Sequence, residues 1–108
     1  MKVRARIEAG ICGFETSVEA ECSDGMTVLL AIESSCPKVG ALAAALSEIN
    51  AFDEVLRHPL IETTPARLAA EHGLHATCLV PVGVLKAVEA AAGLALPAMS
   101  TIDLVRDS

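Results

Sequence analysis

The chain has 108 residues, a formal charge of −6 and 53% apolar residues, with Phe14 and Phe52 as its only aromatics. That length holds one hydrophobic core and that apolar share is far too high for a disordered chain, so a single domain over residues 1–108 is expected. The acidic balance and the lack of aromatic stacking platforms exclude nucleic acid as a partner, because phosphate contacts need concentrated Lys and Arg.

The first third alternates with period two. Val3, Ala5, Ile7 and Ala9 share one face, and Lys2, Arg4, Arg6 and Glu8 share the other. A charge at every second position also leaves no apolar region for a signal peptide. After the turn Gly10-Ile11-Cys12-Gly13, Phe14, Thr16, Val18, Ala20 and Cys22 face one way and Glu15, Ser17, Glu19 and Glu21 the other. Ser23-Asp24-Gly25 then leads into a third strand over residues 26–33. The pattern predicts a three-stranded antiparallel meander with one covered and one wet face. A turn centred between Ile11 and Cys12 sets Lys2 opposite Glu21 and Arg4 opposite Glu19, which are complementary pairs.

The remainder reads as a layer of about four helices. Pro37 suits a first helical position with Cys36 as N-cap, and Val39, Leu42, Leu46 and Ile49 form the stripe behind it. Asn50 caps a short second helix carrying Phe52, Val55 and Leu56. Thr64-Pro65 opens a third helix that Gly73 closes; Pro81 lies in the first turn of a fourth, which carries Val82, Leu85 and Val88 and stops at Gly93. Residues 101–106 either add a short C-terminal edge strand or lie on the surface. Residues 78–99 are the most hydrophobic stretch. Lys86 and Glu89 at its middle, with Pro81 and Pro97 interrupting it, make it a buried helix and not a membrane span. Strands followed by helices give an α+β fold. A cytoplasmic location is expected, where thiols stay reduced and serve metals or catalysis more often than disulfides.

Strand polarity separates the four cysteines. Cys12 lies in the first turn, and the third strand returns to that level just before Cys36. Cys22 lies at the opposite hairpin, ~25 Å away at the usual strand rise. It continues the inward face and is read as a core thiol. Cys36, at a helix start, has the position that favours a thiolate. Cys78 precedes Pro81 at another helix start, with His75 three residues earlier. Three thiolates and an imidazole suit tetrahedral zinc or an iron–sulfur cluster. His72 is read as an exposed residue of the third helix, His58, before Pro59, as a loop residue, and the wet face, with Glu15, Glu19, Glu21 and Glu33, as a solvated surface.

This order of landmarks resembles the iron–sulfur cluster assembly scaffolds of the IscU and NifU N-terminal-domain family. A Cys-Gly turn (Cys12-Gly13), two strands, a cysteine at a helix start (Cys36), a helical stretch and a His/Cys pair before an Ala-rich helix follow one another over residues 9–92. The resemblance implies a SufE/NifU-like α+β fold, with Cys12, Cys36 and Cys78 as the cluster cysteines and His75 as the auxiliary ligand. Three departures stand out. Phe14 occupies the position where the family carries an Asp associated with cluster lability. His75 and Cys78 are two residues apart, where the family has them adjacent. The Leu-Pro-Pro-Val-Lys chaperone motif has no counterpart. A site that retains its metal is therefore expected in preference to one that hands a cluster on. Ser35-Cys36-Pro37 and the segment from His75 to Pro81 are also similar to small cysteine-containing proteins of anaerobic microbes, a likeness that carries no function.

Three functional classes follow. The leading one is a metal- or cluster-binding protein acting in electron transfer, cluster handling or metal delivery, with a protein partner in metal or redox metabolism. The second is a thiol-based sulfur acceptor, in which Cys36 receives persulfide sulfur and Cys12 or Cys78 resolves it. The third is a non-catalytic interaction subunit with structural cysteines. No nucleophile–base–acid set is recognisable, so the balance leans away from an enzyme.

Overall fold

The structure, a computed structural model, describes residues 1–107. The alternating segments form β1 (Lys2–Glu8), β2 (Glu15–Cys22) and β3 (Thr27–Ser34). Thr16, Val18, Ala20 and Cys22 are buried, whereas Glu15, Ser17, Glu19 and Glu21 are exposed. Lys2 stands opposite Glu21 and Arg4 opposite Glu19, the register set by the turn. The ion pairs use other partners. Lys2 reaches Glu19 at 3.8 Å, and Arg6 pairs with Glu15 at 2.9 Å and with Glu8 at 3.1 Å. All are exposed to water, where such pairs contribute about 0–1 kcal/mol each.

A fourth strand, β4 (Glu48–Asn50), pairs with β3 and gives an antiparallel sheet in the order β1-β2-β3-β4. It corrects the expected first helix, which stops early as α1 (Pro37–Ala44). Leu46 and Ile49 are buried as the stripe requires, but Ile49 lies in β4 opposite Val28. Apolar residues three apart suit a helix face, and they also suit a chain that leaves a helix and re-enters a sheet. Backbone pairing decides the matter: Leu30 N–H donates to Ser47 O at 2.9 Å and Ala51 N–H to Met26 O at 2.7 Å, filling donors and acceptors along β3.

Where a second helix was expected, the chain makes a π-helical turn (Phe52–Leu56) and a 3-10 turn (Leu60–Glu62). Asn50 still caps the first of these, its Oδ1 accepting the Asp53 N–H at 3.0 Å. Then come α2 (Thr64–Glu71) and α3 (Val80–Ala91). Each ends in a left-handed glycine, Gly73 at φ +68° and Gly93 at φ +78°. The next residue donates back across the end in both cases, Leu74 to Ala69 and Leu94 to Glu89, which satisfies otherwise orphaned carbonyls. Among the described residues no helix is long and apolar enough to cross a membrane. The edge strand considered for residues 101–106 does not form; residues 96–107 have no regular structure and are exposed.

The helices lie on one face of the sheet, α1 against β3 and α3 against β1 and β2, with α2 against α3. Val18, Val28, Leu42, Val84 and Val88 are fully buried between these layers. One close approach positions the rest. A Cβ built on Gly83 would stand 2.4 Å from Ile7 Cδ1, so only glycine lets the first turns of α3 press onto β1 there. That contact fixes the start of α3 beside the Glu8 end of β1.

Candidate functional site

The β1–β2 connection is a tight turn closed by Gly13 N–H donating to Gly10 O at 3.0 Å, with Ala9 N–H to Phe14 O at 3.1 Å behind it. Cys12 sits at the third position of this turn and is exposed. Ile11 beside it is fully exposed.

Cys36 is reached from the other side of β2. The Ser34-Ser35 pair prolongs the β2–β3 ladder: Ser35 N–H donates to Glu15 O at 3.2 Å, Glu15 N–H to Ser35 Oγ at 3.1 Å, and the Thr16 and Ser34 hydroxyls bond at 2.7 Å. Ser34 Oγ also accepts the Cys36 N–H at 3.1 Å. These bonds hold Cys36 at the level of Glu15, beyond the same sheet end as the Cys12 turn. Cys36 is the N-cap of α1, extended at ψ 121°, and its side chain makes no capping hydrogen bond. It is half-buried against the core.

Cys78 ends a turn in which its N–H donates to His75 O at 3.0 Å, two residues before α3 begins. It too is half-buried against the core, while His75 is exposed. The Gly83–Ile7 contact brings this helix start to the Glu8 end of β1. A second tie links the loops directly, because Lys38 Nζ in α1 donates to Gly73 O at 3.2 Å, just before the His75–Cys78 turn. Three cysteine-bearing segments thus end at one pole of the sheet. All four cysteines are free thiols. Among the described residues, however, no three His, Cys, Asp or Glu side chains are gathered closely enough to hold one metal ion.

Cys22 lies at the other pole, 4% exposed, in the position expected of a core thiol. Its Sγ stands 3.7 Å from Asp24 Oδ1. That carboxylate also accepts the Met26 and Thr27 N–H groups, both at 2.9 Å. These two backbone bonds, with a smaller contribution from the Cys22 thiol, hold Asp24 below its ordinary value of 3.8.

Two residues were not anticipated from sequence. Glu54 is only 8% exposed, and its carboxylate accepts the Thr64 N–H at 2.8 Å and the Thr64 hydroxyl. Glu54 lies ten residues before Thr64 in the chain, so no local helix-start pattern marked it for this role. His58, read as a loop residue, bonds through Nδ1 to Asp53 O at 2.7 Å. That bond, and then the carboxylates of Asp53, Glu54 and Glu62, raise its pKa above 6.5. Glu54 and His58, with Lys86 and Glu89 of α3, border an open cleft of about 340 Å³. No cysteine lines it.

A family model described as a family of unknown function, DUF6951, matches residues 3–104. Neither a curated protein nor a solved structure matches the chain.

Proposed function

The chain belongs to the DUF6951 family, and for this member we propose a metal- or iron–sulfur-cluster-binding role centred on Cys12, Cys36 and Cys78, with His75 as the auxiliary donor. The observation that supports the reading is that three cysteine-bearing segments, a turn and two helix starts, end at one pole of the sheet, their thiols standing apart. The donor chemistry suits the group, since three thiolates and an imidazole match a structural zinc site and three thiolates match most of a cluster's needs. Cys36 and Cys78 are anchored by the core, so the exposed Cys12 turn is the part that moves to complete the site. Binding would neutralise three thiolates and tie β1–β2 to α1 and α3, stabilising the fold by the metal's affinity for the native state. Such a group would supply either a structural crosslink or a one-electron couple. Phe14 stands where the resembled scaffold family carries its Asp, which favours retention, and a partner in metal or redox metabolism would dock at this pole.

The test is the visible spectrum and metal content of protein purified without oxygen. Brown protein with iron and acid-labile sulfide identifies a cluster, and colourless protein with one zinc per chain identifies a structural site. Protein that takes up neither iron nor zinc, even after anaerobic reconstitution, contradicts the reading.

Exposure of Cys12 favours a second reading, sulfur acceptance. Cys12, more accessible than Cys36, would then attack the outer sulfur of a donor persulfide, gaining that sulfur as the donor leaves as a thiolate. Metal-free protein carrying sulfane sulfur on Cys12 would select this reading over the first.

A further inference from the structure

The segment after α3 carries large apolar side chains that no other described residue covers. Met99 and Leu104 are each 90% exposed and Ile102 is 71% exposed. All twelve residues from 96 to 107 are exposed, and the molecule measures 49 Å along its long axis against 27 and 24 Å across. The family match continues through residue 104, so residues 96–104 of this stretch belong to the common sequence. Uncovered apolar residues in such number mark an interaction segment.

The sheet offers a matching vacancy. β1 is an edge strand, paired only with β2. On its helix-facing side Val3 and Ala5 pack against the core but remain half-exposed, whereas Ile7 is buried. On its open side it carries Lys2, Arg4 and Arg6. Lys2 and Arg6 are engaged by glutamates. The Arg4 side chain makes no ion pair or hydrogen bond among the described residues. Three cations on an edge repel a second β1 laid alongside, which is how natural sheets protect their edges. The same cations attract an acidic strand.

We propose that residues 101–105 of one copy of this chain add as a fifth strand to the β1 edge of a second copy, exchanged reciprocally to form a two-fold dimer. The side-chain alternation fits the edge. In either strand direction, the register that sets Asp103 beside Arg4 sets Ile102 and Leu104 beside Val3 and Ala5, because residues opposite each other share a face. The apolar pair then extends the covered side of the sheet, and Asp103 meets Arg4, the one unengaged cation of β1 among the described residues. Thr101 and Val105 flank Asp103 on that face. The eight residues from Gly93 to Ser100 span up to ~28 Å extended, enough to cross to a neighbouring molecule. Backbone ladder bonds would supply affinity and the Asp103–Arg4 pair the register, as in other strand additions.

Sedimentation of the full chain over a micromolar concentration series tests this. The wild type is expected to sediment as a dimer, and Leu104→Asp and Arg4→Glu each to raise the dimer dissociation constant at least tenfold. The double variant Arg4→Glu with Asp103→Arg restores the opposite-charge pair and should recover most of the loss. A wild type that stays monomeric, a dimer indifferent to Leu104→Asp, or a charge swap without recovery would overturn the proposal. Circular dichroism of each variant separates loss of dimer from loss of fold, because neither Leu104 nor Arg4 is buried.

Discussion

Asp24 shows how a single side chain shapes a hairpin. Its Oδ1 collects the Met26 and Thr27 N–H groups and turns the chain into β3. Its folded pKa is lowered, so the stability it lends is present above 3.8 and is lost as pH falls through the lower folded value. Asp24→Asn should therefore flatten the fall in unfolding free energy below about pH 4, as read by urea titration across that range. His58 behaves with the opposite sign. Its pKa is raised in the fold, so its contribution is full below 6.5 and is lost as pH rises through the higher folded value. In the wild type this contribution makes the thermal midpoint fall as pH rises from mildly acidic values through 6.5 and past the higher folded value, and His58→Gln should remove that part of the fall; an unchanged pH profile would contradict the assignment. Neither role was legible in sequence. Ser23-Asp24-Gly25 announced a turn but not which N–H groups the carboxylate would take, and His58 beside Pro59 showed only a loop.

The elements explain how the cysteine pole is built. Gly83 is the hinge of that account, because it lets α3 approach β1 and so sets the height of the Cys78 turn. Gly83→Ala should gain about 1 kcal/mol of helix propensity and lose about 1–3 kcal/mol to overpacking against Ile7. A net loss is expected in denaturant unfolding. Pairing it with Ile7→Val, which removes the Cδ1 methyl in conflict, should recover part of the loss in a double-mutant cycle. Glu54 positions the neighbouring helix. Glu54→Ala removes the partner of the Thr64 N–H at the start of α2 and should cost ~1–3 kcal/mol, measured in the same way. The meander was readable because its faces alternate strictly and the turn fixes register through Lys2–Glu21 and Arg4–Glu19. The helix stops were readable because Gly73 and Gly93 supply the conformation a Schellman end requires. β4 was not, because Ile49 satisfies a helical stripe as well as a strand, and only the pairing of β3 distinguishes them. Gly83 was equally silent, since a glycine inside a helix announces a close approach only when the neighbour is known.

For the molecule as a whole, the sheet has two poles of different character. One holds buried Cys22 and the Asp24 turn; the other gathers the segments of Cys12, Cys36 and Cys78. Sequence order and strand polarity were enough to set Cys12 and Cys36 apart from Cys22, whereas Cys78 was joined to the first two by its helix start and by the resemblance. They were not enough to say how far apart the thiols stand, which depends on the turn at Cys12 and the loop before α3. Because the thiols stand apart, the metal site proposed above requires these segments to close on the ion, and closing would stabilise the native state. The most direct measurement is metal retention and thermal midpoint, taken without oxygen, for Cys12→Ser, Cys36→Ser, Cys78→Ser and Cys22→Ser beside the wild type. The account predicts that each of the first three loses the metal and the stabilisation that comes with it, while Cys22→Ser keeps its metal at a lower midpoint because its core is disturbed. Metal retained in Cys12→Ser, Cys36→Ser and Cys78→Ser alike, or lost only in Cys22→Ser, would contradict it.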